Sequence, residues 1–175
     1  SGRMKRPARA ISLTVTALVL LSTAAALFET LRSDTRGLLR HGAADAVQSA
    51  QLAAYTRAAA WLEANTGRDE TIAAAEIGIL GYQLDRRILD GCGLVSPEAI
   101  PFLPAPRSER GRQLGPIPSA LVRATRPAYV VALQAFIHQS LLADPWFRAN
   151  YSLVHEVRFQ PDDPFYRAVQ IFKLS

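Results

Sequence analysis

Cysteine is nearly absent from this 175-residue sequence, and Cys92 is its only example. A single cysteine excludes an intramolecular disulfide and any zinc site built from several cysteines. The three histidines, His41, His138 and His155, lie far apart and form no HExxH or similar spacing. We therefore predict no metal site, and we interpret Cys92 as a small buried apolar residue.

Motifs for nucleotide binding and for catalysis are missing too. Gly78-x-x-Gly81 is not a GxGxxG fingerprint and has no Walker lysine beside it. No GxSxG elbow accompanies the serines, and no histidine lies close to Cys92 in sequence. The sequence thus predicts no cofactor, and it contains no recognisable catalytic constellation.

Positive charge is concentrated at the N-terminus. The formal net charge is +5, but four basic residues precede position 10, which leaves sixteen basic and fifteen acidic residues elsewhere. A nucleic-acid footprint needs basic residues clustered on one face, whereas here the arginines are interspersed with acids. Nucleic acid is therefore excluded as a partner.

One long apolar run follows this basic flank. Ala10–Phe28 contains nineteen residues without a charge, which as a helix would span roughly 28 Å, close to the thickness of the hydrocarbon core. The basic flank favours a cytoplasmic N-terminus. The sequence predicts a cytoplasmic flank at 1–9, a transmembrane helix at 10–31, a linker at 32–44 and an extracytoplasmic domain at 45–175, which places the protein at the cell membrane with its main domain on the non-cytoplasmic face.

A second interpretation of the N-terminus places the domain in the same compartment. A chain starting at Met4 would carry MKRPARA as the charged region of a secretory signal, with small residues for cleavage at Ala24–Ala26. The sequence begins with Ser1-Gly2-Arg3 instead of methionine, which indicates a fragment of a longer protein.

The remaining sequence alternates helical and strand patterns. Between Asp45 and Thr66 the apolar residues recur at helical spacing, and Gly67 stands where a left-handed cap is expected. The pattern predicts an α/β domain with a mixed sheet of about five strands. The predicted strands are 71–75, 87–89, 128–133, 151–159 and 166–174, with helices at 119–125 and 134–142. An exposed loop is predicted at 97–118, a tight turn or short helix at 78–81, and a turn at 161–164.

Candidate site residues lie at the ends of the first two strands. Each strand ends in a carboxylate, Glu76 or Asp90, and ligands of open α/β sheets tend to bind outside the carboxyl ends of strands. The two carboxylates are expected to share one rim, with Tyr82, Arg86 and Arg87 nearby. The alternative is structural, with Glu76 and Asp90 capping helices or pairing with the two arginines.

The same stretch carries a family resemblance. Ala73–Glu98, AAAEIGILGYQLDRRILDGCGLVSPE, resembles the segment just after the last membrane helix of bacterial polytopic glycosyltransferases of the protein-mannosyltransferase type, glycosyltransferase family 39 and its relatives. RPAYVVAL from Arg126 and the closing strand from Tyr151 also resemble that family. The matching positions are Trp61, Glu76, Ile77, Gly78, Gly81, Tyr82, Arg86, Arg87, Asp90, Gly93 and Leu94.

The resemblance implies transfer of a sugar from a polyprenyl-phosphate carrier to an acceptor glycan or protein. The catalytic carboxylate of such enzymes lies in an early loop between membrane helices, which this sequence does not contain. The chain would then be an inactive accessory domain whose partners are the lipid bilayer, the upstream membrane helices of its own full-length chain, and the sugar donor or acceptor. The competing hypothesis is a free-standing anchored or secreted binding or scaffold domain without catalysis.

Overall fold

A single long helix occupies the first third of the chain. The structure, a computed structural model, describes the backbone of residues 6–110, 115–160 and 165–175, and their side chains except at 6–20, 24 and 31–44. Helix α1 runs without a break over Arg6–Asn65, 60 residues, and so it includes 32–44, the range predicted as a linker. The chain divides into two compact units, 1–46 and 47–175.

The predicted transmembrane helix at 10–31 is corrected by the structure. Among the described residues, no helix has an apolar stretch that is long enough and sufficiently free of charge to cross a bilayer. The described apolar side chains of the run end at Phe28, and Glu29, Arg32 and Asp34 follow within the same helix. The side chains of 10–20 lie outside the described residues. A run that satisfies the length criterion in the sequence is thus one part of a much longer helix.

The second unit is built on a five-stranded mixed sheet, as the sequence predicts. The strand order is β2-β1-β3-β5-β4, in which β1 pairs in parallel with β2 and β3, while β5 pairs antiparallel with β3 and β4. The strands are β1 (Ile72–Ala74), β2 (Ile88–Asp90), β3 (Tyr129–Leu133), β4 (Tyr151–Arg158) and β5 (Ala168–Leu174). The remaining helices are α2 (Gly78–Gln83), α3 (Ser119–Thr125) and α4 (Pro145–Asn150), with 3-10 turns at Pro97–Phe102, Arg107–Glu109 and Gln134–Phe136.

Helices cover both faces of the sheet. Successive strand residues point to opposite faces, so Tyr129, Val131 and Leu133 of β3 pack with α1 and α2, while Val130 and Ala132 pack with α3 and α4. Small residues of α1 (Ala54, Ala58 and Ala59) are fully or almost fully buried on the first face. All five residues of β3 are buried, which accounts for the uninterrupted apolar run AYVVAL in the sequence.

Several predicted elements agree with the structure, and others do not. Helix α3 has the predicted bounds, and β4 and β5 form the predicted antiparallel pair, although the turn at 161–164 lies outside the described residues. The helix predicted at 134–142 is wrong, because only a 3-10 turn forms there. Asp144-Pro145 begins helix α4 instead of ending a helix, since the Asp144 carboxylate accepts a hydrogen bond from the Trp146 amide at 3.0 Å and proline is well tolerated in a first turn.

Two local predictions also fail. The predicted loop at 97–118 is more than exposed chain in its described parts, 97–110 and 115–118, because they form two 3-10 turns and bury Ala99, Ala105 and Ile117 in or near the core. Gly67 does not adopt a left-handed conformation; among the described glycines only Gly93 does. The Thr66 amide and hydroxyl donate instead to the Leu62 carbonyl, at 2.9 and 2.7 Å, which satisfies the last turn of α1 without glycine.

Candidate binding site at the carboxyl ends of the parallel strands

The topology places a crevice beside strand β1. The chain leaves β1 through α2 to β2 on one side, and it returns through α3 to β3 on the other side. In open α/β sheets such a reversal of strand order separates the connecting loops, so that ligands bind at the carboxyl ends of the two strands. Glu76 follows β1 by two residues and Asp90 is the last residue of β2, which places both carboxylates at this edge of the sheet.

Glu76 is held by two neutral side chains from α1. The Gln51 amide donates to Oε1 at 2.7 Å, and the Tyr55 hydroxyl donates to Oε2 at 2.7 Å. Burial raises the pKa of Glu76, and the two hydrogen bonds only partly oppose that change. The carboxylate has no ion-pair partner among the described residues. Glu76 is half-buried, and each of its two oxygens accepts one side-chain hydrogen bond, which leaves acceptor capacity on the carboxylate.

Asp90 has a different environment, because its side chain is fully enclosed by backbone. Its Oδ1 accepts from the Cys92 amide at 2.8 Å, and its Oδ2 accepts from the Leu94 and Val95 amides at 2.6 and 3.1 Å. The Asp90 amide donates to the Ser96 hydroxyl at 2.8 Å. Asp90 is 0% exposed. This carboxylate shapes the turn 90–96 and has no surface to offer to a ligand.

Cys92 lies beside both carboxylates. Burial raises the pKa of the Cys92 thiol, and the charges of Asp90 and then of Glu76 raise it further. Its Sγ lies 3.6 Å from the Ala75 carbonyl oxygen and 3.4 Å from that of Gly115. The sequence interpretation of Cys92 as an inert apolar residue misses this position, since the thiol is only half-buried and stands at the rim.

The other three candidates lie away from the two carboxylates or have other partners. Arg86 and Arg87 precede β2, which places them at its amino end, about 10 Å along the strand from Asp90. The Arg86 side chain is 4% exposed and pairs with Glu63 at 3.3 Å, and it also donates to Thr66 at the end of α1. Arg87 pairs with Glu98 at 2.9 Å. Tyr82 lies on α2 and is 89% exposed.

Sequence reasoning missed the two residues that position Glu76. Gln51 and Tyr55 are four residues apart on α1, so they share one face of the helix, and they flank the buried Ala54 and Ala58. Burial raises the pKa of Tyr55 well above its usual value, and the nearby charge of Glu76 adds to this effect. A glutamine and a tyrosine inside an alanine-rich buried stripe were the available signal, because such residues need hydrogen-bond partners.

Two other titratable side chains lie near Glu76 at this edge. Tyr55 and Cys92 both have raised pKa values and are therefore protonated at neutral pH, so neither is an activated nucleophile. Within the described part of the chain, no group of three or more metal-ligating side chains is assembled. Glu76 is left as a hydrogen-bond acceptor that two donors hold in place.

Comparison with known proteins assigns a family to most of this domain. Neither the curated proteins nor the solved structures contain a match to the chain. Residues 43–172 match the family described as "Domain of unknown function (DUF8728)". The matched range covers the end of α1, which supplies Gln51 and Tyr55, strands β1 to β4 and most of β5. The chain therefore belongs to the DUF8728 family.

Proposed function

We propose that this domain is a binding module that recognises a hydroxyl- or amine-bearing ligand at the carboxyl end of β1, with Glu76 as the accepting group. The observation that carries the proposal is the Glu76 carboxylate itself, half-buried at a strand-order reversal and positioned by neutral donors at 2.7 Å. A carboxylate that only stabilised the fold would be expected to have a cation or several backbone amides around it, as Asp90 does.

Electrostatics favours a donor ligand over an anion. Glu76 and Asp90 both act on the Cys92 thiol, so the field at this edge is negative. An anionic ligand would meet like charge there, whereas a hydroxyl or an ammonium group would gain a charge-assisted hydrogen bond from Glu76. The fixed positions of Gln51 and Tyr55 reduce the entropy that Glu76 loses on binding.

The family resemblance in the sequence adds a narrower hypothesis. On that resemblance we propose that the ligand is the acceptor of a membrane glycosyltransferase that uses a polyprenyl-phosphate sugar, and that this chain is its accessory domain. The placement of the domain at the membrane and outside the cytoplasm stays a prediction from the sequence. If the hypothesis is right, the purified chain has no transferase activity of its own, because the catalytic loop of that family is not in this sequence. Turnover of a polyprenyl-phosphate sugar by the chain alone would contradict it.

The binding proposal is tested with three simple probes of different charge. We expect glucosamine to perturb the NMR signals of 74–77 and of the Tyr55 ring, glucose to do so more weakly, and glucuronate not at all. Replacing Glu76→Gln should weaken glucosamine binding about tenfold, which corresponds to one charge-assisted hydrogen bond.

The matched control is Tyr82→Ala, which removes an exposed side chain on the neighbouring helix α2 and should leave binding unchanged. Equal affinity of wild type and Glu76→Gln for glucosamine would contradict the role of Glu76. Binding of glucuronate as tightly as glucosamine would contradict the proposed ligand class.

A further inference from the structure

A second concave site lies next to the rim on the far side of Cys92. This groove has a volume of about 590 Å³, within the range typical of small-molecule sites. It is lined by Cys92, Ile100, Leu103, Pro104, Ala105, Arg110, Gly115 and Pro116. Five of these side chains are apolar, and no acidic side chain is among them.

The walls of the groove are held by the fold. Gly93 has φ +77°, a left-handed conformation, and a Cβ added there would lie 2.6 Å from Cδ1 of Leu103. A Cβ on Gly115 would lie 3.0 Å from the Cys92 sulfur. The left-handed conformation favours glycine at position 93, and the approach at Gly115 is tighter than an ordinary van der Waals contact. Leu103 and Gly115 of the groove thus pack closely against the turn that Asp90 organises.

Among the described lining residues, Arg110 supplies the only cation. Its Nε donates to the Ala105 carbonyl at 2.5 Å, and within the described residues this is the only hydrogen bond or ion pair that the side chain makes. The nearest acids in sequence are engaged elsewhere, since Glu109 accepts from the Ser119 amide at 3.0 Å and Glu98 pairs with Arg87. The Nη atoms of Arg110 are thus left to bind an anion.

The two ends of the groove also differ in charge. Asp90 and Glu76 lie beside the Cys92 end, whereas Arg110 provides a positive charge among the lining residues. An anionic group is repelled from the Cys92 end and attracted to Arg110. The apolar surface of Ile100, Leu103 and Pro104 suits a hydrocarbon body.

We propose that this groove binds a single-chain amphiphile, an apolar chain with one carboxylate or phosphate that pairs with Arg110. The site is separate from the Glu76 edge and does not depend on the function proposed above. The occupant is a free monomeric molecule, because the described lining residues offer one apolar groove and one cation and not an extended basic surface for a bilayer.

The alkylation rate of Cys92, the single cysteine of the sequence, gives a direct measurement of whether the groove is occupied. Decanoate, used below its micelle concentration, should slow alkylation of Cys92 by a small maleimide, and calorimetry should show binding. Decanol, which has the same chain without the charge, should bind about tenfold more weakly, as should decylammonium. Equal binding of decanoate and decanol would overturn the role of Arg110, and an unchanged alkylation rate at saturating decanoate would overturn the site.

Variants separate the charge from the fold. Arg110→Gln should weaken decanoate binding about tenfold, and Arg110→Lys, which keeps the charge, should retain most of the affinity. Arg107→Gln is the matched control, since Arg107 is an exposed arginine outside the lining, and it should bind like wild type. Melting temperatures of all variants check that each one is folded. Equal loss in Arg110→Gln and Arg107→Gln would overturn the proposal.

Two further experiments are needed. One tests whether binding in the groove is independent of the Glu76 edge, and the other tests whether the ligand is a free molecule or a membrane lipid. Glu76→Gln should bind decanoate at least as tightly as wild type does, because it removes a negative charge near the Cys92 end, so that failure of one proposal leaves the other standing. Phosphatidylglycerol vesicles should protect Cys92 less than monomeric decanoate does. Protection by the vesicles without protection by decanoate would overturn the assignment to a free amphiphile.

Discussion

The ends of strands β1 and β2 carry the same chemical group in opposite environments. After β2, the Asp90 carboxylate is completely buried and accepts three backbone amides of its own turn. After β1, the Glu76 carboxylate is half-buried and accepts two side-chain donors from α1, a distant part of the chain. Two carboxylates at the same edge of one sheet therefore have different roles, one in building a turn and one in exposing an acceptor.

The difference comes from the chain that follows each carboxylate. Asp90 precedes Gly91-Cys92-Gly93, which can fold back so that the amides of Cys92, Leu94 and Val95 point at the side chain. Glu76 precedes helix α2, which leads the backbone away and leaves the carboxylate to find partners on α1. A carboxylate at a strand end is thus a candidate binding group only when the backbone amides of its own turn do not already occupy its acceptor positions.

The largest expected effect is on the turn after β2. Asp90→Asn removes the charge and turns an amide N–H₂ toward backbone N–H groups, so we expect the free energy of unfolding to fall by about 2 to 4 kcal/mol. Glu76→Gln should change it by less than about 1 kcal/mol, because Gln51 and Tyr55 can still be bonded. Urea denaturation of both variants at neutral pH measures the difference. Similar losses for the two would remove the distinction between the two strand ends.

An intermediate effect on the free energy of unfolding is expected from substitutions at Gly91, in the turn after β2, and at Gly81, in the helix after β1. A Cβ on Gly91 would lie 2.9 Å from Cγ1 of the buried Ile117, so Gly91→Ala should destabilise the domain by about 1 to 3 kcal/mol. Gly81 lies in α2 with open space around it, and Gly81→Ala should stabilise by up to about 1 kcal/mol through helix propensity.

Thermal and urea unfolding of the two alanine variants check these signs. Combining Gly91→Ala with Ile117→Ala should cost less than the sum of the single changes, because the second change removes the atoms that the new Cβ meets. Strict additivity would show that the strain at Gly91 has another origin.

The smallest expected effect is the pH dependence of Glu76. Its pKa is raised in the folded protein, mainly by burial, so the folded state binds the proton more tightly than the unfolded state does. The stability that Glu76 contributes therefore falls as pH rises from its ordinary value through its raised folded value. In Glu76→Gln this component should vanish, so the free energy of unfolding of wild type relative to that of the variant should be lower at pH 7 than at pH 4. A difference that does not change with pH would contradict the raised pKa.

Part of the candidate site could be predicted from the sequence. That Glu76 and Asp90 share one edge follows from parallel strands that each end in a carboxylate, and the structure places both beside Cys92. Grouping Arg86 and Arg87 with them was not supported, because both precede β2 and so lie at its other end. Residues that are only a few positions apart in sequence still lie at opposite ends of a strand when that strand runs between them. Gln51 and Tyr55 could not be assigned to Glu76, because their contact depends on how α1 packs on the sheet.

The sequence by itself determined the elements whose cause is local. Alternation of apolar residues set β4 and β5, the apolar run AYVVAL set β3, and Pro118 followed by SALVRAT set α3 with its observed bounds. These patterns act through side-chain periodicity and backbone preference, which are properties of neighbouring residues.

The tertiary structure decided everything that depends on contacts between distant segments. It decided that Asp144-Pro145 begins a helix and that the described parts of the predicted loop, 97–110 and 115–118, contribute to the core and to a groove beside Cys92. It also decided that Asp90 is enclosed while Glu76 is accessible. The physical reason is that burial and hydrogen-bond satisfaction are properties of the packed whole, and the free energy of a carboxylate changes by several kcal/mol with the groups that surround it.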